Sequence, residues 1–120
     1  LRYSQDHEWV RIDGNRARIG ITDFAQDALG DVVYLDLPAV GTTVTAGEKI
    51  GEVESTKTVS EIYAPVGGEI VEVNPDLVDA PERVNADPYG EGWICVIELS
   101  SEYNPSDLMD ASSYIQMTEA

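Results

Sequence analysis

A mostly-β protein, built as a sandwich or barrel with a few peripheral helices, is the architecture this sequence predicts. Three observations carry that expectation. Short runs place apolar residues at alternate positions, as in 16–21, 31–37 and 69–73, which is the period of a half-buried strand. Glycine, proline, aspartate and asparagine punctuate the intervals between them. Finally, Gly47-Glu-Lys-Ile-Gly-Glu-Val53 is echoed by Gly68-Glu-Ile-Val-Glu-Val73 on either side of a hairpin, suggesting a pseudo-twofold pair of small sheets. A chain of 120 residues suits one domain, 1–120, able to bury roughly two-thirds of its unfolded surface.

In chain order, residues 8–21 read as a hairpin. Val10 and Ile12 alternate on the first arm, Asp13-Gly14-Asn15 turns, and Ala17, Ile19 and Ile21 alternate on the second with Arg16 and Arg18 facing out. Thr22 or Asp23 can cap a short helix over 23–29, stopped by Gly30, with Phe24, Ala28 and Leu29 as its apolar side. Val33, Leu35 and Leu37 would share one face of the next strand, which Pro38 ends. Runs 44–54 and 59–64 lead into and out of Lys57, placing that lysine at a hairpin tip, and Pro65–Gly68 turns into strand 69–73. Residues 75–92 are irregular, with room for a short helix near Asp76–Asp79, and Trp93–Leu99, apolar on both faces, reads as a central strand. Asn104-Pro105-Ser106-Asp107 is a helix-start pattern ahead of a C-terminal helix whose stripe is Leu108, Met109, Tyr114, Ile115 and Met117.

Composition narrows the function. With 23 acidic and 7 basic residues the net charge is −16, a field that repels nucleic-acid phosphates and anionic lipid and is suited to basic rims on partner proteins. No apolar run approaches the ~20 residues of a membrane span, and the N-terminus lacks a signal-peptide pattern. Cys95 is the single cysteine, so no internal disulfide forms; within Trp93-Ile94-Cys95-Val96-Ile97 it reads as a small buried hydrophobe. A reducing, soluble compartment fits.

The inventory for catalysis is thin. His7 is the one histidine, beside Glu8 and Trp9 and without a nucleophile pattern, and reads as structural. One histidine and one cysteine are too few for a zinc site, and no calcium-loop pattern occurs. Lys57 stands out instead. It is one of only two lysines, set among Ser55, Thr56 and Thr58 at the hairpin tip, where an amine packs against little. Its two readings are a solvated surface lysine and an attachment point for a prosthetic group.

Glu54-Ser-Thr-Lys57-Thr-Val-Ser-Glu61-Ile-Tyr-Ala-Pro65 with Gly67-Gly68-Glu69-Ile70 resembles the lipoyl-attachment region of the glycine cleavage system H protein family. The likeness extends through His7-Glu8-Trp9, Gly20-Ile21-Thr22-Asp23, Ala25–Val33, Val73-Asn74, Val84–Tyr89 and Gly92-Trp93, nearly the whole chain. The resemblance implies a barrel-sandwich hybrid of two small antiparallel sheets with a lysine-bearing hairpin, a short helix near 23–29 and a C-terminal helix. It implies lipoic acid in amide linkage on Lys57, and a carrier rather than an enzyme. The arm would take the aminomethyl group from a pyridoxal-phosphate-dependent glycine decarboxylase (P protein) to a tetrahydrofolate-dependent aminomethyltransferase (T protein). A dihydrolipoyl dehydrogenase (L protein) would reoxidise it.

Attachment would be made by a lipoate ligase or a lipoyl/octanoyltransferase, for which the acid three residues before the lysine, here Glu54, is a recognition handle. Glu8 and Glu61 match acidic positions near the docked arm; a solvated carboxylate is the alternative for each. The resemblance fits a monomer in a bacterial cytoplasm, or in the mitochondrial matrix of a eukaryote. Thr56 and Thr58 replace the family's frequent Val and Ala, and Ala28 falls where some members have histidine. Biotin carriers flank their lysine with methionines, and 2-oxoacid dehydrogenase lipoyl domains usually have Asp-Lys-Ala; neither pattern is present. The remaining rivals are an H-like relay that hands lipoate to other complexes and an unmodified acidic interaction module.

Overall fold

The computed structural model describes residues 1–100 and 108–119, and among them nine strands form two antiparallel sheets. In chain order the elements are β1 (Arg2–Tyr3), β2 (Glu8–Asp13), β3 (Arg16–Ile21), α1 (Asp23–Leu29), β4 (Val32–Asp36), β5 (Thr43–Val44), β6 (Lys49–Ser55), β7 (Val59–Tyr63), β8 (Gly68–Val73), α2 (Asp76–Asp79), α3 (Arg83–Ala86), β9 (Cys95–Leu99) and α4 (Ala111–Glu119). The larger sheet runs β1-β2-β3-β9-β8-β5 and the smaller β4-β6-β7. The two echoed segments, at β6 and β8, therefore lie in different sheets. Their inner faces close on one core that includes Ile19, Leu35, Val53, Ile62, Ile70 and Ile97. Burying such residues is the main stabilising term, about 1.5–3 kcal/mol for each large aliphatic.

β9 lies between β3 and β8, the central position expected from its apolar faces. Cys95 is fully buried there, and burial pushes its thiol up to about 12, so it packs as a hydrophobe. In β2, Trp9 and Val10 are buried in succession while Ile12 is partly exposed, so the expected Val10/Ile12 alternation fails. The reason is that Trp9 has its own cover on the other face. Its ring lies over Gly20, where a Cβ would come within 2.6 Å, and its indole N–H donates to the Pro88 carbonyl at 2.8 Å. That bond also fixes the irregular 75–92 segment, in which α3 follows the anticipated α2.

Helix α1 is capped by Thr22, whose hydroxyl accepts from the Ala25 N–H at 3.2 Å. Its apolar side is narrower than predicted: Leu29 is buried, but Ala28 is exposed and Phe24 is 45% exposed, its ring tilted against His7 with centroids 4.6 Å apart. The β4 expectation also changes. A register shift between Val32 and Tyr34 lets two residues oppose one on β6, and this bulge puts Val32 and Leu35 inward while Val33 turns to solvent.

At the C-terminus, the 104–107 helix-start pattern lies outside the described residues. The described helix begins at Ala111, with Asp110 accepting from the Ser113 N–H at 2.8 Å. Leu108 and Met109 precede it, and Met109 exchanges two backbone bonds of 2.8 Å with Tyr3. Tyr114 then locks α4 down: it stacks on Tyr3 and shares its hydroxyl with His7 Nδ1 at 2.8 Å and Thr22 Oγ1 at 2.6 Å. His7 thus joins three elements, at the cost of a positive φ of 67°. Ile115 stays exposed.

Candidate functional site

The β6–β7 hairpin carries Lys57 at its tip, as the sequence pattern requires. Glu54 pairs with Val59 across the last rung, and residues 55–58 make the turn. Ser55 organises it. Its N–H donates to the Thr58 carbonyl at 2.8 Å, and its buried hydroxyl accepts from the N–H groups of Lys57 and Thr58, both at 3.1 Å. A serine side chain bonding two residues ahead is a local device that needs no tertiary partner. The tip is also pinned from outside, since the Thr56 N–H donates to the Asp31 carbonyl at 3.1 Å.

That carbonyl belongs to the α1–β4 connection, which Asn85 holds. Asn85 accepts from the Val32 N–H at 2.8 Å and donates to the Gly30 carbonyl at 2.8 Å and to Gln26 Oε1 at 3.0 Å. Gly30 has φ 79°, a conformation suited to glycine, and a Cβ there would fall 2.8 Å from Lys57 Cε. The stem of Lys57 therefore crosses the half-buried backbone of Gly30, while the lysine as a whole is exposed. Among the described residues Lys57 makes no ion pair. An exposed primary amine at the end of a braced turn fits an amide-linked acyl group.

Glu54 is exposed next to the turn, between Tyr34 on β4 and Val59 on β7 in one row of Cα partners. Glu61 and Glu8 lie elsewhere, toward the open end of the hairpin. Glu61 faces Glu52 across the strands, accepts a short bond from the Tyr63 hydroxyl and lies 3.8 Å from Lys49 Nζ. Glu8 is only 2% exposed, so it is not a solvated carboxylate. Ser4 Oγ donates to its Oε1 at 2.6 Å and the Tyr63 N–H approaches its Oε2 at 3.5 Å. Burial pushes its carboxyl from 4.5 up to about 7, Ser4 and Tyr63 pulling it back and the charge of Asp6 adding to the rise. Tyr63 thus links Glu8 to Glu61, about 13 Å along the strand from Val59 at 3.3 Å per residue.

Sequence reasoning assigned no part to Asn85, Ser55 or Tyr34. Ser55 had a readable signal, a serine opening a polar four-residue turn. Asn85 and Tyr34 act through pairings distant in sequence and had none.

Compared with known proteins, the chain matches the family described as Glycine cleavage H-protein over residues 1–120. It is 56% identical over 119 residues to a glycine cleavage system H protein of Brevibacillus brevis, covering 99% of this chain and 94% of that one. A Bacillus subtilis glycine cleavage system H protein is 54% identical with the same coverage. The crystal structure of a glycine cleavage system H protein from Mycobacterium marinum superposes with a TM-score of 0.90 at 46% identity, covering 99% of this chain and 96% of that one.

Proposed function

The chain belongs to the glycine cleavage H-protein family, and from that membership we propose that it is the lipoyl carrier of the glycine cleavage system, with lipoic acid in amide linkage on Lys57. The observation that carries the reading is the state of that lysine: exposed, outside any ion pair among the described residues, and presented on a turn braced by Ser55 and Asp31. When bound, the lipoyl group supplies a disulfide that accepts an aminomethyl group and electrons at glycine decarboxylase, gives the one-carbon unit up at aminomethyltransferase and is reoxidised at dihydrolipoyl dehydrogenase.

The chain's own residues supply the rest. The Ser55 turn keeps the attachment point clear of the sheet, so a tethered arm sweeps a defined volume and reaches each partner at high effective concentration. Gly30 leaves the lysine stem an unobstructed path over α1. Glu54 marks the lysine for the acylating enzyme. Glu8 and Glu61, joined through Tyr63, form an acidic seat for an amine brought back along β7, with the Glu8 carboxyl poised near neutrality to hold or release a proton at its Oε atoms. No helix among the described residues is long and apolar enough to cross a membrane. From its similarity to bacterial relatives, we propose that the carrier works as a monomer in a bacterial cytoplasm.

Intact-mass analysis after co-expression with a lipoate ligase tests this. One lipoyl increment is expected on the wild type and none on Lys57→Ala; an unmodified wild type overturns the carrier reading. The lipoylated protein should then stimulate exchange of carbon dioxide into the glycine carboxyl by purified glycine decarboxylase. Without stimulation, relay of lipoate to other complexes becomes the better account.

A further inference from the structure

The β4 bulge leaves an apolar surface that the fold does not use. Opposite Glu54, where a regular strand would present one residue, the bulge presents Val33 and Tyr34 together, 50% and 56% exposed. On the other side of Glu54 stands Val59, 54% exposed. Directly opposed residues on neighbouring strands project from the same face. Glu54 therefore sits in a frame of three half-exposed apolar side chains, one rung from the turn that carries Lys57. Bulges recur beside functional sites because they re-aim side chains, and contiguous exposed apolar surface marks contact with a partner.

The geometry points to this patch as the docking surface for the enzyme that acylates Lys57, an inference that rests on the lipoyl-carrier reading. Reach selects that occupant. Before modification the amine stands one lysine side chain beyond the hairpin, so an active site that closes on Nζ must cover the adjoining rung. Once the long acyl arm is in place, later partners can dock elsewhere. The chemistry of the patch also describes its complement: an apolar enzyme surface containing one lysine or arginine to meet Glu54. In the reaction, neutral Lys57 Nζ attacks the carbonyl carbon of an enzyme-bound acyl adenylate. The N–C bond forms, the C–O bond to the adenylate phosphate breaks, AMP leaves with that electron pair, and the surplus amine proton passes to solvent.

The test is lipoylation kinetics followed by intact mass, using purified lipoate ligase, ATP and lipoate on the unlipoylated chain. The variants are Tyr34→Ser, Val59→Ser, their double, and Val40→Ser as a control at an exposed valine outside the patch. The double variant is expected to lose about tenfold in kcat/KM, mainly through KM, with a matching loss in ligase affinity by calorimetry, and Val40→Ser to match wild type. Val59→Lys, which sets a cation against the enzyme's own, should lose at least as much and gives an independent variant if a serine substitution perturbs folding. Rates for the double variant within about twofold of wild type overturn the docking surface while leaving the carrier reading intact. A wild type that takes no lipoyl group overturns the carrier reading itself. Double variant driven to full lipoylation should support decarboxylase exchange like wild type; a parallel loss there overturns the assignment to the acylating enzyme.

Discussion

Lys49 and Lys57 stand at opposite ends of the β6–β7 hairpin. Lys49 lies 2.6 Å from Glu52 and 3.8 Å from Glu61, and Tyr63 extends that cluster to buried Glu8. Lys57 stands in a turn of hydroxylated residues held by Ser55, with its stem laid on a glycine. Acylation consumes a lysine's charge, so an amine held by carboxylates would surrender those contacts on reacting. On the carrier reading, the open end of the hairpin concentrates carboxylates where a charged amine would be received, while at the tip the nearest strand acid, Glu54, lies a rung away and makes no ion pair with Lys57 among the described residues. The two lysines differ in their surroundings, which residue type alone does not reveal.

The acidic end gives the largest effect with which to test the comparison. A carboxyl at about 7 in the folded protein and 4.5 in the unfolded chain means the folded state binds more protons between those values. Stability must then fall as pH rises through that window, and the penalty from Glu8 is complete above pH 7, at about 3 kcal/mol. Glu8→Gln removes the titration. Denaturant unfolding of both proteins from pH 4.5 to 8 is expected to show a difference that widens with pH in favour of the variant. A constant difference across that range would mean that Glu8 ionises as easily folded as unfolded, and that the acidic seat has no buried member.

The tip offers a smaller effect of a different kind. Ser55→Ala removes the acceptor for the Lys57 and Thr58 N–H groups, both of which can turn to water. The cost to stability should be about 1 kcal/mol, read from the denaturation midpoint. Lipoylation should slow by more than that cost suggests, because the turn presenting the amine loses its shape. If the midpoint shifts while lipoylation keeps its wild-type rate, the turn does not need Ser55 to present Lys57.

Features legible in the sequence were those set by neighbours in the chain. The hairpin around Lys57, the capped helix ending at Gly30, the central strand with buried Cys95 and the sheet-splitting echo all follow from periodicity and turn chemistry. The misread features depend on partners far along the chain. Alternation counted on one strand puts Val33 on the same face as Leu35, whereas the bulge that separates them exists only in the pairing of β4 with β6. A glutamate's type argues for exposure, yet Glu8 is buried, met by Ser4 from the β1–β2 connection and by Tyr63 from β7. Asn85 lies in α3, within a segment whose sequence reads as irregular, yet it holds the connection that supports the lysine tip. Resemblance to a family points to Lys57, Glu54, Glu8 and Glu61, while the exposed apolar residues around Glu54 are visible only from register and exposure.

Lys49→Ala should have the least effect, and its smallness is informative. Both of its ion pairs are half-exposed, where solvent screening and side-chain entropy leave such contacts little net worth. No measurable change in Tm is expected, and Lys57 should be lipoylated at the wild-type rate, since the pairs lie at the far end of the strand from the turn. The effect expected is on reception of the loaded arm. Without Lys49, Glu52 and Glu61 lose their counter-charge and should hold an amine on the arm more firmly, slowing spontaneous loss of the aminomethyl group from loaded carrier. A lower lipoylation rate in Lys49→Ala would instead show that the two ends of the hairpin are coupled, and that the lysine tip depends on the acidic cluster it was contrasted with.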